Sequence, residues 1–208
     1  FHERGSSISG IIDGRLSGLP HVQTLITNFR VNNLAFTTQG LTKFLKVWSP
    51  SMKLDMGKYA PEQTLSFSGT GLGPLNRLAL KGKITSVIGS IATDLDLRNI
   101  IDKKRDILIS GAISTNDLNI EKIIGKGPVH ECTIKTSLHA ELQKGGPNVK
   151  IDSLIVQRAN ILGYDYSNIA AAGTYSNNAF NGKIISNDPN LNFMFQGEAN
   201  CPVVIRAP

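Results

Sequence analysis

Gly69-Thr70-Gly71-Leu72-Gly73-Pro74 has the glycine density of a loop that wraps a phosphate. Such loops aim successive backbone N–H groups at the anion, and a lysine followed by Ser or Thr completes the cradle. No such pair follows, and Pro74 within an alternating apolar pattern indicates a β turn. Asp94 and Asp96 stand two apart on one strand face, where paired carboxylates could divide acid and base work. A solvated strand face accounts for them far better. Asn187-Asp188-Pro189-Asn190 offers oxygen atoms of the kind calcium takes, but too few for a calcium loop, and it reads as a turn. Serine, histidine and aspartate all occur, yet no Gly-x-Ser-x-Gly elbow presents a nucleophile. Cys132 and Cys201 lie far apart, neither in a Cys-x-x-Cys pair, and the four histidines are dispersed. That spacing supports no metal site, and it leaves one disulfide and two buried thiols both open. The expectation is a protein that is not an enzyme and uses neither metal nor cofactor.

Charge gives no stronger pointer. The 208 residues carry 22 Lys and Arg against 16 Asp and Glu, a net charge of +6. An excess of that size would suit an anionic partner if it were clustered. It is scattered instead, and the one dense run, Lys103-Lys104-Arg105, separates two apolar segments as a solvated hairpin turn would. Aromatic residues do not interleave with basic ones as in single-strand binders, so nucleic acid is not an expected partner.

The elements that must position any site are strands. Between His130 and Leu142, the residues Cys132, Ile134, Thr136, Leu138, Ala140 and Leu142 alternate with polar ones. A period of two requires a strand with one wet face. Segments 25–36, 91–97 and 191–197 alternate likewise. One-sided strands separated by short turn-forming stretches describe an antiparallel meander. The expected turns are at Gly69 and Gly71, Gly145-Gly146-Pro147-Asn148, Ser176-Asn177-Asn178 and Asn187-Asp188-Pro189-Asn190. Two short amphipathic helices interrupt the strands. Leu41, Phe44, Leu45 and Trp48 share one helical face before Pro50, and Ile120, Ile123 and Ile124 share another over 117–124, capped by Asn116 or Asp117. Helices of two turns do not stand alone, and an end of an apolar sheet face is a natural dock.

The sequence also repeats. Leu80-Lys81-Gly82-Lys83-Ile84-Thr85-Ser86 matches Phe180-Asn181-Gly182-Lys183-Ile184-Ile185-Ser186, with weaker echoes at Gly111-Ala112-Ile113-Ser114 and Gly14-Arg15-Leu16-Ser17. Such repetition suggests an architecture that grows by adding units. The whole of 1–208 is therefore expected to be one β-repeat region, divisible at most into 1–60 and 61–208. Phe1 in place of an initiator Met suggests a piece of a longer protein.

From Lys104 to Gly197 the chain resembles the repeat region of AsmA-like envelope proteins of the TamB type, particularly their Bacteroidetes forms. The residues carrying the resemblance are Arg105-Asp106-Ile107-Leu108-Ile109-Ser110-Gly111-Ala112-Ile113-Ser114-Thr115, Asn119-Ile120-Glu121-Lys122-Ile123-Ile124, Leu162-Gly163-Tyr164-Asp165-Tyr166-Ser167-Asn168-Ile169, and the run from Phe180 to Leu191. These are structural motifs covering about half the chain. The resemblance implies an elongated, curved antiparallel sheet, rolled like a taco or gutter around an apolar inner surface. It further implies a periplasmic location, an inner-membrane anchor in the full-length protein, phospholipid or another acyl-chain ligand, and outer-membrane assembly proteins as partners. On that reading the groove-lining residues are Phe29, Val31, Ile84, Ile91, Leu95, Ile134, Leu138, Phe193 and Phe195. Alternation by itself fits a filled core as well as an open groove, so a structural or adhesive envelope module is the alternative.

Overall fold

The computed structural model describes residues 8–18, 25–37, 39–40, 64–102, 105–124, 127–143 and 146–200. Their 14 strands join in a single antiparallel sheet. In chain order these are β1 (Ile8–Ser9), β2 (Ile12–Ser17), β3 (Ile26–Thr37), β4 (Thr64–Pro74), β5 (Arg77–Ser86), β6 (Gly89–Arg98) and β7 (Ile107–Asn116). There follow β8 (Leu118–Asn119), helix α1 (Glu121–Ile124), β9 (Val129–Gln143), β10 (Gly146–Ile161), β11 (Tyr164–Tyr166), β12 (Ile169–Ser176), β13 (Ala179–Asp188) and β14 (Leu191–Asn200). From β3 to β14 the long strands lie side by side in the order of the chain, with β1 and β2 on β3, β8 on β9 and β11 on β10. The all-β, antiparallel meander read from the alternation is what forms.

Tight turns make this order feasible. Asn177 and Asn178 take positive φ values of 50° and 60° between β12 and β13. Asn tolerates that left-handed region, which the two-residue hairpin matching strand twist demands. Pro189 and Asn190 close the next hairpin, where Asp188 opposes Leu191. The expected turn at Gly69 and Gly71 is displaced: both lie inside β4, and the chain reverses after Pro74. These glycines are placed by what crosses above them, described below. Gly146, Pro147 and Asn148 likewise belong to β10 and not to a turn.

The helix expected over 117–124 is shorter. Asp117 has a positive φ of 46°, Leu118 and Asn119 pair with β9, and only one helical turn remains. Its cap is Asn119, whose Oδ1 accepts from the Lys122 N–H at 2.9 Å, in place of Asn116 or Asp117. Strand pairing outcompetes a first helical turn that has no intrahelical bonds to lose. The helix expected at 41–48, Lys103, Lys104, Gly145 and Cys201 lie outside the described residues. Arg105 is exposed beside Asp102, at 3.3 Å, in the connection between β6 and β7.

The two matching heptapeptides occupy β5 and β13, each the first strand of a two-residue hairpin. The hairpins differ in length, so that Ile84 opposes Ile91 whereas Ile184 opposes Phe195.

Candidate functional site

Residues directly opposed in a ladder point to the same face, so the pairing register carries side chains across the whole sheet. One row runs Val31–Gly69–Gly82–Thr93–Ile113–Thr136–Leu154–Ala171–Ile184–Phe195 from β3 to β14. A second runs Phe29–Gly71–Leu80–Leu95–Gly111–Leu138–Ile151 before ending in Gly173, Gly182 and Gly197. A third joins Leu34, Phe67, Ile84, Ile91 and Thr115. It continues through Ile134, whose N–H donates to Thr115 Oγ1, to Val156, Ile169, Ser186 and Phe193. All nine residues singled out from the sequence fall in these three rows on one face. Sequence reading passed over their companions Phe67, Leu80, Ile113, Leu154, Val156 and Ile184, although each keeps the same period of two.

Among the described residues this face has little cover. Val31 is buried, Phe193 is 38% exposed, and the other seven are half-buried. A sheet sandwiched against a second layer would bury most of them. The partial shielding comes from within the sheet. Phe29 lies over Gly71, and Phe67 over Gly69 and Gly82, so closely that a Cβ at Gly82 would stand 2.5 Å from the Phe67 ring. Phe180 does the same over Gly173 and Gly182, where added Cβ atoms would meet the ring at 2.9 and 2.7 Å. Aromatic rings laid across glycines recover packing that a bare strand position loses.

One end of the apolar face is closed. Leu118, Cys132 and Ala159 form its buried cluster, and Ile120 and Ile123 bring α1 onto it. Cys132 carries a free thiol there, 3.7 Å from Thr115 Oγ1. At the same end of the sheet Asp188 is 1% exposed. Its carboxylate accepts from the Ser167 N–H at 2.8 Å, the Asn190 N–H at 2.9 Å, Tyr164 Oη at 3.2 Å and Ser167 Oγ at 3.3 Å. A carboxylate has about four lone-pair sites, and protein donors occupy them, which leaves no role for calcium. Burial pushes the Asp188 carboxyl up, but these four hydrogen bonds outweigh burial and hold it below its ordinary value.

The other face is mainly polar, with scattered exposed apolar residues such as Leu72, Ile155 and Met194. Arg158 sits among Asp117 at 2.6 Å, Glu131 at 3.4 Å and Asp165 at 3.8 Å. Its hydrogen bond to Asp117, opposed by burial and aided by all three carboxylates, raises its pKa further. Asp94 and Asp96 are engaged by Lys81 at 2.9 Å and by Arg98 at 3.0 Å, so they are ion-paired and not a carboxylate dyad. Two shallow dishes open here. Asp96, Arg98, Ser110, His139 and Lys150 line one of about 400 Å3. Asp152, Thr174, Asn181, Lys183 and Gln196 line one of about 760 Å3.

Ser110 and His139 are directly opposed, and His139 Nε2 lies 3.1 Å from Asp152 Oδ2, an order of residues that sequence reading missed. Lys150 shares the same carboxylate at 3.1 Å. Acyl transfer also needs backbone donors aimed at a developing oxyanion. On a central strand the backbone N–H groups serve the ladder, so this row is equipped for ion pairing. No group of three or more His, Cys, Asp or Glu side chains converges as metal ligands among the described residues. No described helix is long and apolar enough to cross a membrane.

Comparison with protein-family models, curated proteins and solved structures finds no match to this chain.

Proposed function

We propose that the apolar face is a binding surface for acyl chains, and that the protein is a non-catalytic, lipid-handling module of the AsmA/TamB-like kind. The observation that carries this reading is the half-covered state of three mainly apolar rows, broken by glycine, threonine and one serine, that run from β3 to β14. Strands about 4.8 Å apart make that run roughly 43 Å along its contour. A leaflet of a bilayer's ~30 Å hydrocarbon core is about half as thick as the core itself, so an extended chain fits along a row. Each buried methylene contributes ~0.8 kcal/mol without directional contacts, which suits a ligand that slides. In the full protein the sheet is then a rolled, gutter-like repeat in the periplasm, anchored at the inner membrane. It passes phospholipid toward the outer membrane or serves outer-membrane assembly proteins.

A second reading is a structural or adhesive envelope module with a filled core. It draws on the corner where Val31, Phe36 and Leu65 are buried to 4%, 6% and 3% exposure. There the face is closed as a core would be.

Native mass spectrometry with lipid extraction, on protein expressed into a periplasm, separates the two. Co-purifying phospholipid that disappears in a folded Leu138→Asp/Phe193→Asp variant supports the conduit. A lipid-free, folded chain that also fails to take up a fluorescent phospholipid supports the structural module.

A further inference from the structure

The larger dish on the polar face is built by strand register. Ala172 lies at its centre, directly opposite Lys183, which in turn opposes Gln196. Lys150, Thr174 and Asn181 stand in register as the next row. The pairing of β10 with β12 slips between Ile151 and Leu154, so Asp152 and Ser153 together face Ala172. A bulge of this kind re-aims a side chain. Asp152 accordingly reaches both His139 and Lys150, each at 3.1 Å. A methyl group ringed by longer polar side chains leaves a hollow of about 760 Å3. Small-ligand sites span roughly 300–1,000 Å3. The hollow opens on the face of the sheet, across β10, β12, β13 and β14, so it does not depend on which strand ends the sheet.

The matching heptapeptide in β5 shows what differs at this place. There Lys81 stands where β13 has Asn181, and it bonds Asp94, directly opposite, at 2.9 Å. Asn181 is short and neutral instead. Lys183 opposes only uncharged residues, Ala172 and Gln196, and among the described residues no carboxylate forms an ion pair with it. Lys150 is already neutralised by Asp152. Glu198, opposite Asn181, borders an adjoining hollow. We infer that the dish binds a sugar bearing an acid group, a uronate or a sugar phosphate, with the acid on Lys183 and the ring hydroxyls on Asn181, Gln196, Thr174 and Asp152. An ammonium bonded to an anion makes one of the stronger hydrogen bonds. Amides offer donors and acceptors together, as hydroxyl groups require. The aromatic residues of β12 to β14, Tyr175, Phe180, Phe193 and Phe195, belong to the apolar face, so nothing here stacks a nucleobase. This site lies on the face opposite the acyl-chain surface, and neither reading needs the other.

Heteronuclear NMR titration of the full chain tests the site, with glucuronate, glucose 6-phosphate, glucose and inorganic phosphate as probes. A shallow dish should hold its ligand with a Kd of about 1 mM. Both anionic sugars are expected to shift the amides of Thr174, Asn181 and Lys183, and glucose and phosphate to bind about tenfold more weakly or less. Lys183→Gln should lower affinity for the anionic sugars to that of glucose, and Lys183→Arg should largely keep it. Lys83→Gln, at the matching lysine of β5, should change nothing. Both lysines are exposed, so circular dichroism should stay unchanged in all three variants. The inference is overturned if no sugar shifts these amides at about ten times that Kd. Phosphate binding as tightly as the sugars overturns it too, since an adventitious anion site would behave so. Equal losses from Lys83→Gln and Lys183→Gln would also sink it, by showing diffuse surface charge in place of a built site.

Discussion

The two ends of the sheet are built from the same alternating strands, yet they are closed to different degrees. At the end holding α1, β8 and β11, Leu118, Cys132 and Ala159 are buried, and Asp188 is locked by four donors. At the opposite end Leu142, on the same apolar face, is 42% exposed at the tip of the β9–β10 hairpin. Apolar alternation makes a sheet, but extra elements and a buried polar anchor are what turn part of it into a core. The difference marks where structural duty ends and where an apolar surface is left available.

Substituting the same residue type at both ends breaks the comparison most directly. Leu118→Ala is expected to cost about 3 kcal/mol in urea denaturation, as a buried leucine replaced by a cavity does. Leu142→Ala should cost less than about 1 kcal/mol, since its side chain is already partly in water. Equal losses would mean that both ends are cores.

Acid sharpens the comparison next. Because the folded pKa of Asp188 is lowered, its contribution is fully present above the ordinary carboxylate range and is lost as pH falls through the folded value. The urea midpoint of the wild type should therefore drop in acid. Asp188→Asn should lower it at neutral pH and flatten its decline below. Amides of β11 and β13 should lose hydrogen-exchange protection first.

Smaller effects are expected on the polar face. Arg158→Met should lower Tm slightly at low salt, and the difference should vanish near 1 M salt, where exposed charges are screened. Lys81→Ala, which removes an exposed pair with Asp94, should leave Tm nearly unchanged. A large loss from Lys81→Ala would show the polar face to be more than a solvated surface.

How far the sequence could be read follows from these contrasts. Period two announced the strands, and register then carried Phe29, Ile91, Leu138 and Phe193 to one face without any further information. The sequence was silent where the outcome depends on residues far apart. Gly69 and Gly71 look like turn residues until Phe29 and Phe67 are seen crossing them. Leu118 and Asn119 look like the start of a helix until β9 offers them hydrogen bonds. Met194 breaks the alternation of β14, a signal that was present but weak, because one methionine on a wet face is ordinary. The donors to Asp188 come from Tyr164, Ser167 and Asn190, and only the β10–β13 topology brings the first two within reach.

The glycines opposed to one another, Gly69 with Gly82 and Gly182 with both Gly173 and Gly197, have a mechanical meaning. Where facing strands carry no side chains, nothing props them apart on the apolar side, and the sheet can fold more sharply there than along its leucine and isoleucine rows. Phe67 and Phe180 each lie across such a crease like a strap. Any bending of the described sheet at these two places must therefore displace the Phe67 or the Phe180 ring.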